Sequence, residues 1–191
     1  MKRREFLKGS LVAGAGMALM RSGFAGPLLQ TGAKKPNIII ILCDDLGWGD
    51  IGCYGNEVIR TPNIDQMAKD GIRMTDFYSS APVCSPSRAG LITGRYPPRT
   101  KVTEVLFPST GIEMIVNAGL VLGGAAIALP KDEITLGQAM KQGGYATCAI
   151  GKWHLGDIRG FQPNDRGSDH YLGLLYSNDM TPLPLWRNRD I

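Results

Sequence analysis

The sequence predicts an α/β fold built on a mostly parallel sheet flanked by helices. Three observations carry that expectation. Residues 37–42, Asn-Ile-Ile-Ile-Ile-Leu, form a short apolar run rich in β-branched residues, the pattern of a strand buried on both faces. Two segments with helical spacing, 61–71 and 135–144, each lead into another strand-like run, at 72–78 and around Cys148. Strand, helix and strand in that order wind a parallel sheet, because parallel neighbours need a crossover that a helix usually supplies.

Taken in order, the chain opens on an address rather than on fold. Lys2-Arg3-Arg4-Glu5-Phe6-Leu7-Lys8 precedes a glycine-containing apolar run from Gly9 to Met20 and the small-residue site Gly23-Phe24-Ala25. This is the pattern of a twin-arginine export signal over residues 1–25, which makes the twin-arginine translocase a partner and the periplasm or the exterior the destination. The apolar run is about a dozen residues, short of the roughly 20 that cross a bilayer. Five basic residues and one acid of the whole chain's 21 and 17 fall in residues 1–25, which leaves 16 of each. The basicity therefore belongs to the signal, and nucleic-acid binding, which wants a retained basic patch, is excluded.

The first expected strand ends in Cys43-Asp44-Asp45, placing two acids at the carboxyl edge where open α/β sheets bind ligands. Adjacent carboxylates repel unless a cation compensates, and Ca²⁺ or Mg²⁺ wants such oxygen donors; an Asx turn is the plainer alternative for the dipeptide alone. Residues 61–71 carry a capping residue, spaced apolar positions and a terminal glycine, hence a helix, followed by a strand over 72–78. In Cys84-Ser85-Pro86-Ser87-Arg88, Pro86 suits a first helical turn and Ser85 can serve as N-cap. Cys84 then lies at an anion-favouring helix N-terminus, with Arg88 one turn on along the same face. A bare Cys-x-Pro-x-Arg also fits a buried free cysteine beside a turn. Residues 110–130, apolar and glycine-rich without a clear period, read as a loop or an irregular helix. Beyond the second strand, Lys152 and His154 are two apart and in an extended segment point to one side. A lysine can bind an oxyanion as a point charge and a histidine can move a proton near neutral pH, although a lone histidine beside a tryptophan is also a common structural residue. Cys43 and Cys148 sit in apolar runs as small hydrophobes, and no structural disulfide is expected.

The segment from Cys84 through Gly94-Arg95-Tyr96-Pro97 resembles the signature of the type I, formylglycine-dependent sulfatases. Lys35–Gly47, Ile150–Gly156, Gln162–Gly173 and Tyr176–Met180 are similar to further segments of that family, especially of its arylsulfatase A and galactosamine-sulfatase relatives; Ser168 departs from the aromatic residue usual there. The resemblance implies an alkaline-phosphatase-like core and a sulfuric ester hydrolase acting on a small-molecule or carbohydrate sulfate ester. It implies oxidation of Cys84 to formylglycine by a formylglycine-generating enzyme, in the cytoplasm if export carries the folded chain. A covalent intermediate divides one hard step into two, and a hydrated aldehyde can release sulfate by collapsing back rather than by a second attack on sulfur. Asp44, Asp45 and the modified Cys84 are the implied Ca²⁺ or Mg²⁺ ligands; Arg88, Lys152 and His154 are the implied catalytic and sulfate-contacting residues. His170 and Asp179 read as structural or rim residues. Family members are considerably longer and supply an Asp-Asn pair, a further histidine and lysine and a smaller terminal domain, none of them recognisable here. Residues 35–191 are therefore expected to be the N-terminal part of a catalytic domain. A phosphonate or phosphodiester hydrolase of the same superfamily and a non-catalytic exported stub are the competing readings.

Overall fold

The computed structural model describes residues 34–110 and 113–191. The expected signal over residues 1–25 and its cleavage site lie outside the described residues. The chain divides between Cys43 and Asp44. Of the first unit, residues 34–43 are described; they carry no regular secondary structure, and Ile38 to Leu42 are exposed, Ile39 at 84%. The strand expected over 37–42 is therefore not formed. A run of isoleucines specifies a preference for a buried pleated surface, but a strand exists only where a neighbour completes its ladder, and among the described residues of this unit there is none.

The second unit begins with two short 3₁₀ turns, Trp48–Asp50 and Gly52–Tyr54. Helix α1 follows at Pro62–Asp70 and stops at Gly71, as the sequence predicts; the expected capping residue Thr61 holds the N-cap position without a side-chain cap bond, and the start is marked instead by the proline in the first turn. Asp65 reaches back from α1 to accept from the Cys53 N–H at 2.7 Å and from the Thr61 hydroxyl at 3.0 Å, so the turns and α1 are one piece. The strand expected over 72–78 is absent. Ile72, Phe77 and Tyr78 are exposed, and side chains hold the segment instead: the Tyr54 hydroxyl donates to the Met74 carbonyl at 2.7 Å and the Arg73 guanidinium donates to the Cys53 carbonyl.

Helix α2, Cys84–Thr93, is the element on which the site is built. It ends on Gly94, whose φ of 66° is the left-handed conformation glycine adopts at little cost, with its N–H on the Gly90 carbonyl at 2.8 Å. A single turn, α3 at Pro97–Thr100, and helix α4 at Glu113–Leu122 follow. The irregular helix was one of two alternatives for that apolar stretch. Helix α5, Leu136–Gln142, begins with a reciprocal capping box: Thr135 Oγ1 accepts from the Gln138 N–H at 3.2 Å, and Gln138 Oε1 accepts from the Thr135 N–H at 2.9 Å, satisfying two donors that a helix start leaves orphaned.

The chain then enters a three-stranded sheet, β1 at Cys148–Lys152, β2 at His170–Leu174 and β3 at Trp186–Arg187, in that spatial order. Strands β1 and β2 are parallel, with Cys148 opposite His170 and Lys152 opposite Leu174; β2 and β3 are antiparallel. The α5-to-β1 approach and the parallel pair agree with the expected winding, and β3 makes the sheet mixed. Gly173 faces Gly151 so closely that a Cβ at 173 would lie 1.9 Å from the Gly151 carbonyl oxygen. The core collects Ala89 of α2, Leu106, Leu129, Leu155, Tyr171 and Tyr176. Each of the three leucines, fully withdrawn from water, contributes roughly 1.5–3 kcal/mol. Trp153 and Leu155 flank His154 and Tyr176 precedes Ser177, so the core fixes the backbone of the residues described next. All four cysteines are free thiols, and Cys43 and Cys148 are exposed rather than packed in apolar runs.

Candidate active site

Cys84 is the first residue of α2 and is half-buried. The residue before it, Val83, is extended and occupies the N-cap position, so the helix starts two residues earlier than Ser85-as-cap would have it. Ser85 is instead fully buried, its hydroxyl accepting from the Leu106 N–H at 3.0 Å. Pro86 remains in the first turn, where its missing N–H has no partner to lose.

One helical turn beyond Cys84, the Arg88 guanidinium divides its donors. Its Nη1 donates to the Lys152 carbonyl, and its Nη2 donates to Asp44 Oδ1 at 2.8 Å. Lys152, at the end of β1, places Nζ 2.7 Å from Asp44 Oδ2 and 3.1 Å from the Ser177 hydroxyl. Three residues separated by as many as 108 positions thus meet around one carboxylate. Burial works to raise the Asp44 pKa, but the hydrogen bonds and charges of Arg88 and Lys152 together hold it below the usual carboxylate range. Two cations against one anion leave a net positive charge, and Arg88 Nε is buried without a partner. Such an arrangement can accept an oxyanion with little reorganisation, because the donors are already fixed.

His154 is fully buried and sits in the left-handed backbone region, φ 59°, which histidine visits more readily than most residues. This breaks the simple alternation expected of Lys152 and His154. The lysine reaches Asp44 and Ser177, while the imidazole Nε2 lies 2.8 Å from the Leu106 carbonyl oxygen. Burial, reinforced by the charges of Lys152 and Arg88, lowers its pKa to about 4 against the opposing effect of the Leu106 bond, so the ring is neutral at pH 7. A carbonyl can only accept, so Nε2 carries the proton and Nδ1 is left as a lone pair. That Nδ1 is buried and unpartnered. The ring meets the Tyr176 ring edge-on at 5.9 Å. A neutral imidazole with a free lone pair can take a proton, and one beside two cations returns it readily.

Asp45 is exposed and forms no ion pair among the described residues. His170 is exposed at the start of β2. Asp179 is exposed as well, its pKa lowered first by the Ser177 hydroxyl and further by the charge of Lys152, which fits a rim residue. Ser177 itself was not singled out by the sequence. A serine next to an asparagine carries no signal until Lys152 is seen to reach it.

Known proteins share this chain's pattern over most of its length. The family described as Sulfatase matches residues 36–185. The chain belongs to the sulfatase family. It is 46% identical over 181 residues to mouse arylsulfatase G, covering 92% of this chain and 31% of that protein. It is 41% identical over 152 residues to human arylsulfatase A, covering 78% of this chain and 27% of the relative. The solved structure of Ps i-CgsB in complex with k-i-k-neocarrahexaose superposes with a TM-score of 0.62 at 39% identity, over 75% of this chain and 29% of that one. This sulfatase chain thus spans about 30% of the length of the relatives it matches, and its mixed sheet and helices are part of an alkaline-phosphatase-like α/β core. Residues 1–20 match the twin-arginine translocation signal, which directs the sulfatase across the membrane to the periplasm or beyond.

A divalent metal is the family's expected cofactor, and the side chains present meet it only in part. Asp44 and Asp45 offer hard oxygen donors suited to Ca²⁺. Both Asp44 oxygens, however, are engaged by Arg88 and Lys152, and no group of three or more His, Cys, Asp or Glu among the described residues could hold an ion. Two carboxylates do not make the six to eight ligands that Ca²⁺ takes, so the described residues do not by themselves form the centre.

Proposed function

We propose that this chain supplies the nucleophile and the sulfate-binding residues of a sulfuric ester hydrolase of the arylsulfatase type. The observation that carries the reading is the convergence of Arg88, Lys152 and Asp44, with the neutral His154 beside them and Cys84 one helical turn before Arg88. Oxidised to formylglycine, position 84 would supply a hydrated aldehyde as the attacking group. Asp44 and Asp45, with the modified residue 84, would contribute ligands to a Ca²⁺ or Mg²⁺ ion completed by donors beyond those described.

The remaining roles belong to side chains of this chain. Arg88 and Lys152 neutralise the sulfate oxygens, the guanidinium by a fixed fork and the ammonium as a movable point charge. Ser177 orients the Lys152 ammonium by accepting one of its three protons. His154 exchanges a proton through Nδ1, since Nε2–H is committed to the Leu106 carbonyl. Residues 1–25 act as the export signal, and residues 35–191 form the N-terminal part of the catalytic domain. A sulfated carbohydrate is the favoured substrate class, supported by the oligosaccharide complex of the similar Ps i-CgsB.

The test is to co-express the 191-residue chain with a formylglycine-generating enzyme, supply Ca²⁺, and follow hydrolysis of a chromogenic aryl sulfate while weighing the peptide that contains Cys84. An aldehyde at position 84 together with turnover carries the reading in full. An aldehyde without turnover restricts the chain to one part of a catalytic unit, and an unmodified thiol refutes the nucleophile assignment.

A further inference from the structure

Leu106-Phe107-Pro108-Ser109 has no regular secondary structure beyond a bend at Ser109, yet Leu106 and Pro108 are fully buried. A buried backbone without a ladder must find other partners for its polar groups, and here side chains from separate parts of the fold provide them. The Leu106 N–H donates to Ser85 Oγ of α2 at 3.0 Å, and the Leu106 carbonyl accepts from His154 Nε2 at 2.8 Å. Asn117 of α4, itself buried, donates through Nδ2 to the Phe107 and Pro108 carbonyls at 3.1 and 3.0 Å. Asp157 accepts from the Ser109 N–H at 3.0 Å and from its hydroxyl at 2.6 Å.

Ser85 directly follows Cys84, and a single buried residue, Leu106, carries the link from the Ser85 hydroxyl to the His154 ring. We propose that Ser85 is a positioning residue for His154, acting through the Leu106 peptide groups to hold the imidazole in its Nε2–H form with Nδ1 free. The meaning of that role for catalysis rests on the hydrolase reading; the geometry does not. Without the Ser85 hydroxyl, the Leu106 N–H is buried and unsatisfied, a situation that drives local rearrangement. The Leu106 carbonyl then no longer sits fixed against Nε2, and no other hydrogen bond among the described residues distinguishes the two ring nitrogens, because Nδ1 has no partner there.

The experiment is nitrogen NMR of the imidazoles in the ¹⁵N-histidine-labelled 191-residue chain at pH 7, where the second of the two histidines, His170, serves as an internal reference. In the unmodified chain the His154 nitrogens are expected to resolve as one protonated and one bare. In Ser85→Ala they are expected to move toward a common averaged shift, with His170 unmoved, whereas Ser87→Ala on the same helical turn leaves His154 as it was. A folded Ser85→Ala chain with an unchanged His154 pattern overturns the proposal, as does an equal shift in Ser87→Ala. If Ser85→Ala does not fold, Asn117→Ser loosens the same segment from its far side and is expected to average the nitrogens too; an unchanged pattern there overturns it. Turnover is not measured, so a negative result leaves the hydrolase reading standing, and an inactive chain with the expected nitrogen pattern leaves this one standing.

Discussion

Lowering the pH from 7 to 4 should cost the fold a definite amount through His154. The group is fully buried, and its pKa falls from 6.5 when exposed to about 4 in the fold. Between those values the unfolded chain holds a proton on His154 that the folded chain does not, so stability falls as pH falls. The contribution is fully present above about pH 6.5, is lost progressively down to about pH 4, and changes no further below that. At about 1.4 kcal/mol for each tenfold change in proton affinity, the fall from 6.5 to about 4 amounts to roughly 3–4 kcal/mol, a large share of the 5–15 kcal/mol typical of a domain. The assay is urea unfolding at several pH values between 7 and 4 for the unmodified chain and for His154→Gln, whose amide can still donate to the Leu106 carbonyl but does not titrate. Asp44, Asp165, Asp169 and Asp179 also have lowered pKa values, owed to groups that both chains keep except for a last, smallest effect of His154 on Asp179, so the difference between the two curves is chiefly the histidine's. Identical pH dependence in the two chains would refute the reasoning, because a buried neutral imidazole cannot be indifferent to acid.

Three further outcomes follow from the same geometry. On the proposed reading, Cys84→Ala in the full-length protein should abolish aryl sulfate turnover while leaving sulfate binding, read by calorimetry, partly intact; turnover equal to the parent removes the nucleophile role. Arg88→Lys should lower turnover roughly 10–100-fold, since one charge-assisted hydrogen bond of about 1.5–3 kcal/mol is lost. A lysine cannot serve the Lys152 carbonyl and Asp44 together, and a change within threefold would mean that Arg88 acts only as a point charge. Gly173→Ala should destabilise the chain by several kcal/mol, about 3 or more, because its Cβ would fall 1.9 Å from the Gly151 carbonyl oxygen; a melting temperature unchanged from the parent would mean that β1 and β2 are not paired in this register.

The fold class was legible in the sequence, and part of the site's layout with it. Arg88 one turn after Cys84 follows from spacing, and Lys152 ends an expected strand, whereas the resemblance implies Asp44 as a metal ligand and the structure engages both its oxygens with Arg88 and Lys152. Helix α1 was legible from its spaced apolar positions and terminal Gly71, and α5 from its helical spacing, which are local signals; the Thr135–Gln138 capping box emerges only in the structure. The runs at 37–42 and 72–78 failed for the opposite reason: β-branched composition expresses what a segment can pair with, and pairing is decided elsewhere. Ser85 misled as a cap because a serine beside a helix start has two uses, and its burial against Leu106 has no signature in sequence. Ser177 and Asn117 escaped notice likewise, since Ser177 meets Lys152 across 25 residues and Asn117 meets the carbonyls of Phe107 and Pro108 rather than any side chain.

The Leu106–Ser109 segment stores few of the instructions for its own polar contacts, the Ser109 hydroxyl on Asp157 being its one side-chain contribution. Ser85, Asn117, His154 and Asp157 read its backbone, so most of the hydrogen-bonding constraint falls on those four scattered positions, and Phe107, only half-buried, answers to packing alone. Related chains should therefore vary more freely at 107 than at the anchors. A change at one anchor should be tolerated best when another compensates, which makes the four a group inherited together rather than one by one.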